Sequence, residues 1–161
     1  VKPHNLEEVY ESIITIGEAV NKKKEAEKVV EKMKTEIKEI ELEGSPRIYC
    51  EEWMYPPMAS GNWMPDLIKE IGGEYFIDEG RSREFDLEVL KDFNPEHIIM
   101  HICGAGENLS KEQLTEREGW EDLMAVQNNQ VHIIDDDLLN RPGPRLIEAT
   151  EKIADAVDAN K

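Results

Sequence analysis

Large flat side chains are concentrated in one short stretch of this sequence, between residues 51 and 73. Trp53, Tyr55 and Trp63 lie there with several Met and Pro residues, in a chain otherwise rich in Glu, Lys and aliphatic side chains. Aromatic rings supply a large contact area with few rotatable bonds, and Met side chains adapt to irregular shapes. This composition is typical of a surface that grips a wide, flat ligand. The other interpretation is that individual rings fill the core beneath a loop.

His101 and Cys103 are the residues best suited to metal binding or reactive chemistry. They lack a CxxC or HxxxH partner in the sequence, so a closed zinc site is not expected. The loop "CGAGEN" lacks a glycine of the dinucleotide-binding pattern, and Asp135, Asp136 and Asp137 lack the spacing of a calcium loop. We therefore expect no enzyme, no catalytic cofactor and no metal ligand. A metal-handling or enzymatic domain that uses His101 and Cys103 is the alternative.

The composition is that of a globular domain with an acidic surface. The chain has 161 residues, of which 39% are hydrophobic and 34% charged, and its formal net charge is −17 at pH 7. Such a surface repels phosphate backbones and anionic lipid headgroups, so nucleic acid and membrane surfaces are not expected partners. Two cysteines, Cys50 and Cys103, are too few for a disulfide framework, and their redox state stays open.

Strand and helix patterns alternate from residue 45 onward. Strands are predicted over residues 47–53, 74–78, 97–102 and 131–135. Helices are predicted over residues 62–73, 85–95, 110–126 and 144–159, and the segments after the first, third and fourth strands are predicted to be loops. This alternation predicts an α/β fold, a three-layer lobe with a small parallel sheet of about four strands.

Two helices are predicted before this lobe. Asn5 and Glu8 form a capping box at the start of the first, and Gly17 and Asn21 mark its end. Residues 24–43 form a long amphipathic helix that Gly44 terminates. This helix either packs on a core in the ordinary way or connects two lobes. Its narrow apolar stripe contains Val29, Met33, Ile37 and Ile40.

The three predicted loops lie at one edge of the predicted sheet. In such a sheet, ligands bind beyond the carboxyl ends of the strands. The sequence therefore predicts a ligand site at this edge. Within it, we expect Trp53, Tyr55 and Trp63 to be partly exposed and to face one cleft with Asn140 and Arg141.

Four segments in order resemble a known family. They are "WMYPPMASGNWMPDLIKEIGGEYF", "DLEVLKDFNPEHIIMHICG", "GWEDLMAVQNNQVHIID" and "NRPGPRLIEATEKIADAV". Together they resemble the carboxyl-terminal lobe of substrate-binding proteins of ABC importers. The class is the one whose two lobes are joined by a rigid helix and which carries cobalamin, haem and ferric siderophores. Asn62 and Asp66 depart from the His and Glu that are typical of cobalamin-binding members.

The resemblance implies capture of a small-molecule metal chelate outside the cytoplasm and its delivery to an ABC permease, without catalysis. A corrinoid, haem or ferric siderophore is the implied ligand, and the protein would be periplasmic or lipid-anchored at the cell surface. Glu88 is similar in position to a carboxylate that docks onto permease arginines. The implied ligand-binding residues are Trp53, Met54, Tyr55, Asn62, Trp63, Arg81, Arg83, Asp137, Asn140 and Arg141.

The resemblance also implies a division of the chain. Residues 1–44 correspond to the end of an amino-terminal lobe and the connector helix, and residues 45–161 to the carboxyl-terminal ligand-binding lobe. The family has a whole first lobe before this point, so we expect either a fragment or a lost lobe. Without that lobe, part of the apolar stripe of the connector helix would be exposed, which predicts self-association. An interaction module that has lost its ligand site is a third hypothesis.

Overall fold

The computed structural model describes residues 2–159. Within this range the chain forms six strands and eight α-helices. The strands are β1 (Arg47–Met54), β2 (Pro57–Ala59), β3 (Glu74–Tyr75), β4 (Arg83–Glu84), β5 (His97–Met100) and β6 (Val131–Ile133). The helices are α1 (Leu6–Ala19), α2 (Lys23–Glu39), α3 (Met64–Glu70), α4 (Leu87–Phe93), α5 (Glu112–Thr115), α6 (Met124–Gln127), α7 (Asp136–Leu139) and α8 (Leu146–Asp158).

The sheet is mostly parallel and is flanked by helices, which confirms the predicted α/β fold. β1 pairs in parallel with β3 and β5, and β5 pairs in parallel with β6. These strands are the four that the sequence pattern predicts. Two further strands extend the sheet through antiparallel pairs, because β2 is antiparallel to β1 and β4 is antiparallel to β2. Of the six strands, β2 therefore runs against the other five.

The aromatic loop predicted after the first strand is in part a β-hairpin. β1 extends to Met54, and β2 begins at Pro57 after a turn at Tyr55. A bulge between Glu51 and Trp53 interrupts the pairing, and bulges of this kind bend a strand and increase its twist. The prediction missed β2 because a strand of three residues is too short to show an alternating pattern. The aromatic side chains therefore project from a hydrogen-bonded hairpin.

A cluster of aromatic rings packs around the buried Tyr49. Tyr49 of β1 meets Phe76 and Phe85 edge to face, with ring centroids 5.6 and 5.3 Å apart. Phe93 of α4 lies 5.5 Å from Phe76, which joins α4 to the same cluster. Edge-to-face pairs add about 0.5–1.5 kcal/mol beyond the burial of their area. These rings hold the central strand and α4 in a fixed relation.

The predicted connector helix is α2, and most of its apolar stripe is covered. Met33 and Ile37 are buried, and Val29 and Ile40 are partly buried against the core. α2 packs against α1 and α8, which the sequence pattern of α2 alone did not reveal. Most of the stripe is therefore covered, with partial exposure left at Val29 and Ile40, and self-association stays a prediction. Among residues 2–159, no helix combines the length and apolar character needed to cross a membrane.

Gly17 lies inside α1 instead of ending it, because the helix continues to Ala19. A Cβ at Gly17 would come within 2.4 Å of the Ala26 Cβ in α2. The missing side chain therefore allows α1 and α2 to approach closely. The capping box at the start of α1 is confirmed, since the Asn5 side chain accepts a hydrogen bond from the Glu8 amide.

The helix predicted over residues 110–126 is wrong. Only α5 and α6 form there, and Gly119 between them has a φ of +83°, which no regular helix accommodates. The loop predicted after the last strand contains α7, whose first turn is capped by the Asp135 carboxylate. Periodic apolar residues suggested the long helix, but a glycine in the left-handed region overrode the pattern.

We expect the stability of the fold to depend on pH through the pair His97 and His132. Their rings stack on adjacent strands, and His97 Nδ1 lies 3.3 Å from His132 Nε2. Burial, together with the charges of His97 and Lys111, lowers the pKa of His132 from 6.5 to about 4. The fold thus favours the neutral ring of His132. Its contribution to the free energy of unfolding is complete above pH 6.5 and is lost as the pH falls towards 4.

We expect the melting temperature to fall by about 5 °C or more between pH 7 and pH 5. The variant His132→Gln cannot titrate at this position and should lose less over the same interval. His101, whose pKa is also lowered by burial, stays present in both proteins. Thermal unfolding followed by circular dichroism measures the difference, and equal losses in both proteins would contradict the prediction.

Candidate ligand-binding site

A groove opens beyond the carboxyl end of β1, at the edge where the sequence predicts a site. It consists of two adjoining cavities of about 430 and 190 Å³, which share Glu52, Asn62 and Trp63 as lining residues. The larger cavity is also lined by Lys2, His4, Met58 and Arg81, and the smaller one by Ser60, Cys103 and Asn140. Their combined size falls in the range of small-molecule sites, roughly 300–1,000 Å³.

Trp63 lines both cavities but is more deeply buried than expected. Only 8% of it is exposed, and its Nε1 donates a hydrogen bond of 2.9 Å to the carbonyl of Leu139. The expectation of a partly exposed ring is wrong, because Trp63 precedes α3 directly and packs with it into the core. Asn62 beside it has a φ of 55°, a conformation that Asn tolerates better than most residues.

Arg81 is held against Asn62 and Trp63 by its backbone. The Asn62 amide donates to the carbonyl of Gly80 at 2.7 Å, and the Gly61 amide donates to Ser82 Oγ at 2.9 Å. A Cβ at Gly61 would lie 2.3 Å from the carbonyl carbon of Arg81. Gly61 therefore allows the segment that carries Arg81 to press against the start of α3.

Asn140 lines the smaller cavity, but its amide is engaged with His101. Its Nδ2 donates to the His101 carbonyl at 3.1 Å, and its Oδ1 faces Nδ1 of the same residue. Because an amide oxygen only accepts, Nδ1 of His101 carries the proton. Burial lowers the pKa of His101, and its buried Nε2 has no hydrogen-bond partner among the described residues. Asn140 thus joins the ends of β5 and α7 as well as facing the groove.

The hairpin carries the most exposed aromatic side chains of the predicted site. Trp53 is 46% exposed and Tyr55 is 69% exposed, as expected, and Trp53 Nε1 donates to the Tyr55 carbonyl at 3.1 Å. Met54 differs, because it is buried in the core. The same hairpin supplies Glu52 and Met58 to the groove. Trp53 and Tyr55 are not among the residues that line the two cavities.

A buried ion pair lies beneath the hairpin. Arg117 donates to both carboxylate oxygens of Glu51 at 2.8 and 2.6 Å, and the Tyr49 hydroxyl donates to the same carboxylate at 2.8 Å. Burial raises the pKa of Glu51, while the hydrogen bonds from Arg117 and Tyr49 act in the opposite direction. The Arg117 guanidinium also lies 4.7 Å from the Trp120 ring and 5.8 Å from the Tyr55 ring. It thus links the hairpin to the segment after α5.

Three other predicted ligand residues lie outside these two cavities. Arg83 donates to the carbonyl of Glu79 at 2.7 Å on the edge strand β4. Arg141 forms an ion pair with Asp137 at 2.7 Å, one helical turn apart. The structure therefore brings Asn62, Trp63, Arg81 and Asn140 together around one groove. The other six predicted residues are not among those that line it: Trp53, Met54, Tyr55, Arg83, Asp137 and Arg141.

Sequence reasoning missed Glu52. It is half-buried at the boundary of the two cavities, and its Oε2 accepts a hydrogen bond from Ser60 Oγ at 3.0 Å. A carboxylate at the carboxyl end of the central strand was the signal that could have found it. Lys2 and His4 were also missed, because no local pattern connects the start of the chain to this groove.

The alternative of a metal site at His101 and Cys103 finds no support in the geometry. Within residues 2–159, the only group of three or more His, Cys, Asp or Glu side chains with converging ligand atoms is Asp135, Asp136 and Asp137. These carboxylates already have local partners. Asp135 accepts from the Asp137 amide, Asp136 accepts from the Gly104 amide at 3.0 Å, and Asp137 pairs with Arg141. The cluster serves the local structure of α7.

Comparison with known proteins places this architecture in a family. A family model described as periplasmic binding protein matches residues 1–138. This chain belongs to the periplasmic binding protein family. Membership puts it outside the cytoplasm, as predicted, and the relatives are binding proteins of transporters.

A substrate-binding lipoprotein of an ABC transporter from Bacillus subtilis strain 168, YvrC, is 27% identical over 161 aligned residues. The alignment covers 93% of this chain and 50% of that protein. The haem complex of IsdE from Staphylococcus aureus has a TM-score of 0.80 at 20% identity and covers 96% of this chain and 66% of its own. The vitamin B12 binding protein BtuF of Vibrio cholerae has a TM-score of 0.68 at 18% identity, covering 98% of this chain and 63% of its own.

These likenesses establish the fold of the chain. The chain spans half the length of the curated relative and less than two thirds of these solved structures. A mostly parallel sheet with flanking helices is therefore common to this chain and to those longer proteins.

Proposed function

We propose that this chain is part of the substrate-binding component of an ABC importer, which captures a metal chelate and delivers it to a membrane permease. The observation that carries the proposal is a groove lined by Trp63 and by Met58 of the hairpin. The same hairpin also exposes the rings of Trp53 and Tyr55. Aromatic and Met surface covers the flat face of a chelate, and a few polar groups fix its edges. Capture and delivery need no covalent step.

The ligand class is a corrinoid, haem or ferric siderophore. Family membership supports this class, as do the haem and vitamin B12 named for two of the similar structures. The proposal also includes the division of the chain at residue 44, with an amino-terminal lobe ending in the connector α2 and a carboxyl-terminal lobe after it. The burial of Met33 and Ile37 between α2 and its neighbours supports a connector that moves as one body with the second lobe.

Glu88 is the proposed contact with the permease. Its side chain is 77% exposed in the first turn of α4, beside Val89, which is 55% exposed. Lys91 lies 3.5 Å from the Glu88 carboxylate. Exposed pairs of this kind contribute little, about 0–1 kcal/mol, so an arginine of a partner can replace the lysine.

Titration of the intact gene product with haemin, cyanocobalamin and ferrioxamine tests the proposal. We expect one of the three to quench tryptophan fluorescence in a saturable way with a dissociation constant of about 1 μM or below. Lysozyme treated identically controls for optical absorption by the chelates. If none of the three shows saturable binding, the proposed function is wrong.

The variant Trp53→Ala tests the part that the hairpin plays in binding. Because Trp53 is exposed, its loss should change the free energy of unfolding by about 0.5 kcal/mol or less. Binding of the chelate should weaken by about 1–3 kcal/mol if the ring covers a ligand face. Ile16→Ala, which removes an exposed apolar side chain from α1, is the matched control and should leave binding unchanged. Equal binding by both variants would show that the Trp53 ring covers no ligand face.

A further inference from the structure

The groove contains a cationic rim on a strongly acidic chain. The cations Lys2 and Arg81 line the larger cavity beside His4, although Asp and Glu outnumber Lys and Arg by 36 to 19 in the sequence. Glu52 is the acidic residue at this lining, and its carboxylate already accepts a hydrogen bond from Ser60. A positive patch of this kind, within an acidic surface, concentrates anions locally.

Of the three arginines that the sequence predicts for ligand contact, Arg81 is the one that lines the groove. Arg83 donates to a backbone carbonyl, and Arg141 is paired with Asp137. Among the hydrogen bonds and ion pairs of residues 2–159, none engages the guanidinium of Arg81. An arginine presents N–H donors in a planar fork that matches a carboxylate. Arg81 is thus free to receive one.

Backbone contacts of the neighbouring residues fix the position of Arg81. The hydrogen bonds at Asn62 and Gly61, together with the close approach that Gly61 permits, fix its Cα beside Trp63. A ligand ring that lies on the aromatic surface would therefore bring its edge to the guanidinium. Glu52 lines both cavities, whereas Lys2 and Arg81 line the larger one, so the larger cavity is where an anionic edge meets cations.

We infer that the ligand of this groove carries a carboxylate-bearing edge that binds Arg81, with Lys2 and His4 as flanking donors. The inference rests on the proposed function and narrows its ligand class. Chelates with carboxylates, such as a porphyrin with acidic side chains or an open-chain ferric carboxylate, fit this rim. A corrinoid with an edge of neutral amides does not use it.

The test compares haemin with its dimethyl ester, which has the same iron and ring but no free carboxylates. Both are titrated into the intact gene product, its Arg81→Gln variant and the control Arg145→Gln, which removes an exposed arginine at the start of α8. We expect haemin to bind about tenfold or more tightly than its ester, and Arg81→Gln to weaken haemin binding by a similar factor. Ester binding should not respond to Arg81→Gln, and Arg145→Gln should change neither. Ferric citrate distinguishes an open-chain carboxylate from a porphyrin.

Failure of the inference differs from failure of the proposed function. Tight cyanocobalamin or ferrioxamine binding that is unaffected by Arg81→Gln, with no preference for haemin or ferric citrate, overturns the carboxylate edge and leaves chelate capture intact. Equal affinity for haemin and its ester also overturns it. Absence of binding by every chelate overturns both. Ferric citrate binding that weakens tenfold in Arg81→Gln, without haemin binding, supports the carboxylate edge and assigns it to an open-chain chelate.

Discussion

Replacing Arg117 with Met should lower the free energy of unfolding by about 3–5 kcal/mol. The Glu51 carboxylate is fully buried and the Arg117 side chain is only 12% exposed, so the variant leaves a carboxylate in the interior without its cation. Loss of the guanidinium from the face of Trp120 adds to the effect. Denaturant unfolding measures the change. The matched control Arg145→Met, at an exposed position, should change stability by about 0.5 kcal/mol or less.

We attribute this loss of stability to the buried charge of Glu51. Its pH dependence distinguishes that cause from the loss of packing around the Arg117 side chain. Burial raises the pKa of Glu51, and Arg117 is the main opposing influence, so Arg117→Met should raise the pKa further. The stability deficit relative to wild type should therefore shrink as the pH falls and Glu51 becomes protonated. The double variant with Glu51→Gln should recover part of the loss at pH 7, because a buried amide costs less than a buried carboxylate. A deficit that is independent of pH would identify packing as the cause.

Local signals predicted the fold well because they act over a few residues. Asp86 caps α4 and Asn94 ends it in the left-handed region, as the sequence indicates. Pro65 lies in the first turn of α3, where its missing N–H is tolerated. The four parallel strands follow from buried apolar runs. The antiparallel strands β2 and β4 did not, because they contain three and two residues and show no period.

The site was less predictable because it joins distant segments. Glu51 and Arg117 are 66 residues apart, and nothing in either segment indicates that they pair. Loop position at the carboxyl edge of the sheet indicated the region in which the groove lies. Loop position does not predict which polar side chains line the groove. That depends on how each side chain is paired in the fold, as Arg141 is with Asp137. The ligand-binding roles of the ten predicted residues stay predictions.

Trp63→Ala should lower the free energy of unfolding by about 3–5 kcal/mol, in contrast to Trp53→Ala. The ring is 8% exposed and belongs to the core with Leu67 and Ile68. Its removal leaves a cavity and also leaves the Leu139 carbonyl without the indole N–H. The sequence alone favoured a partly exposed ring, and its burial overturns that expectation.

The variant Trp63→Phe separates the two contributions to this loss of stability, the cavity and the missing hydrogen bond. It keeps most of the apolar volume and removes the hydrogen bond to Leu139, so we expect a loss of about 1–3 kcal/mol. Because Trp63 also lines both cavities, Trp63→Phe should remain folded while weakening chelate binding less than the removal of a whole ring would. Urea unfolding and chelate titration at 10 °C measure the two quantities on the same samples. If Trp63→Ala unfolds no more easily than Trp53→Ala, the ring contributes little to the core, and its burial reflects only the walls of the groove.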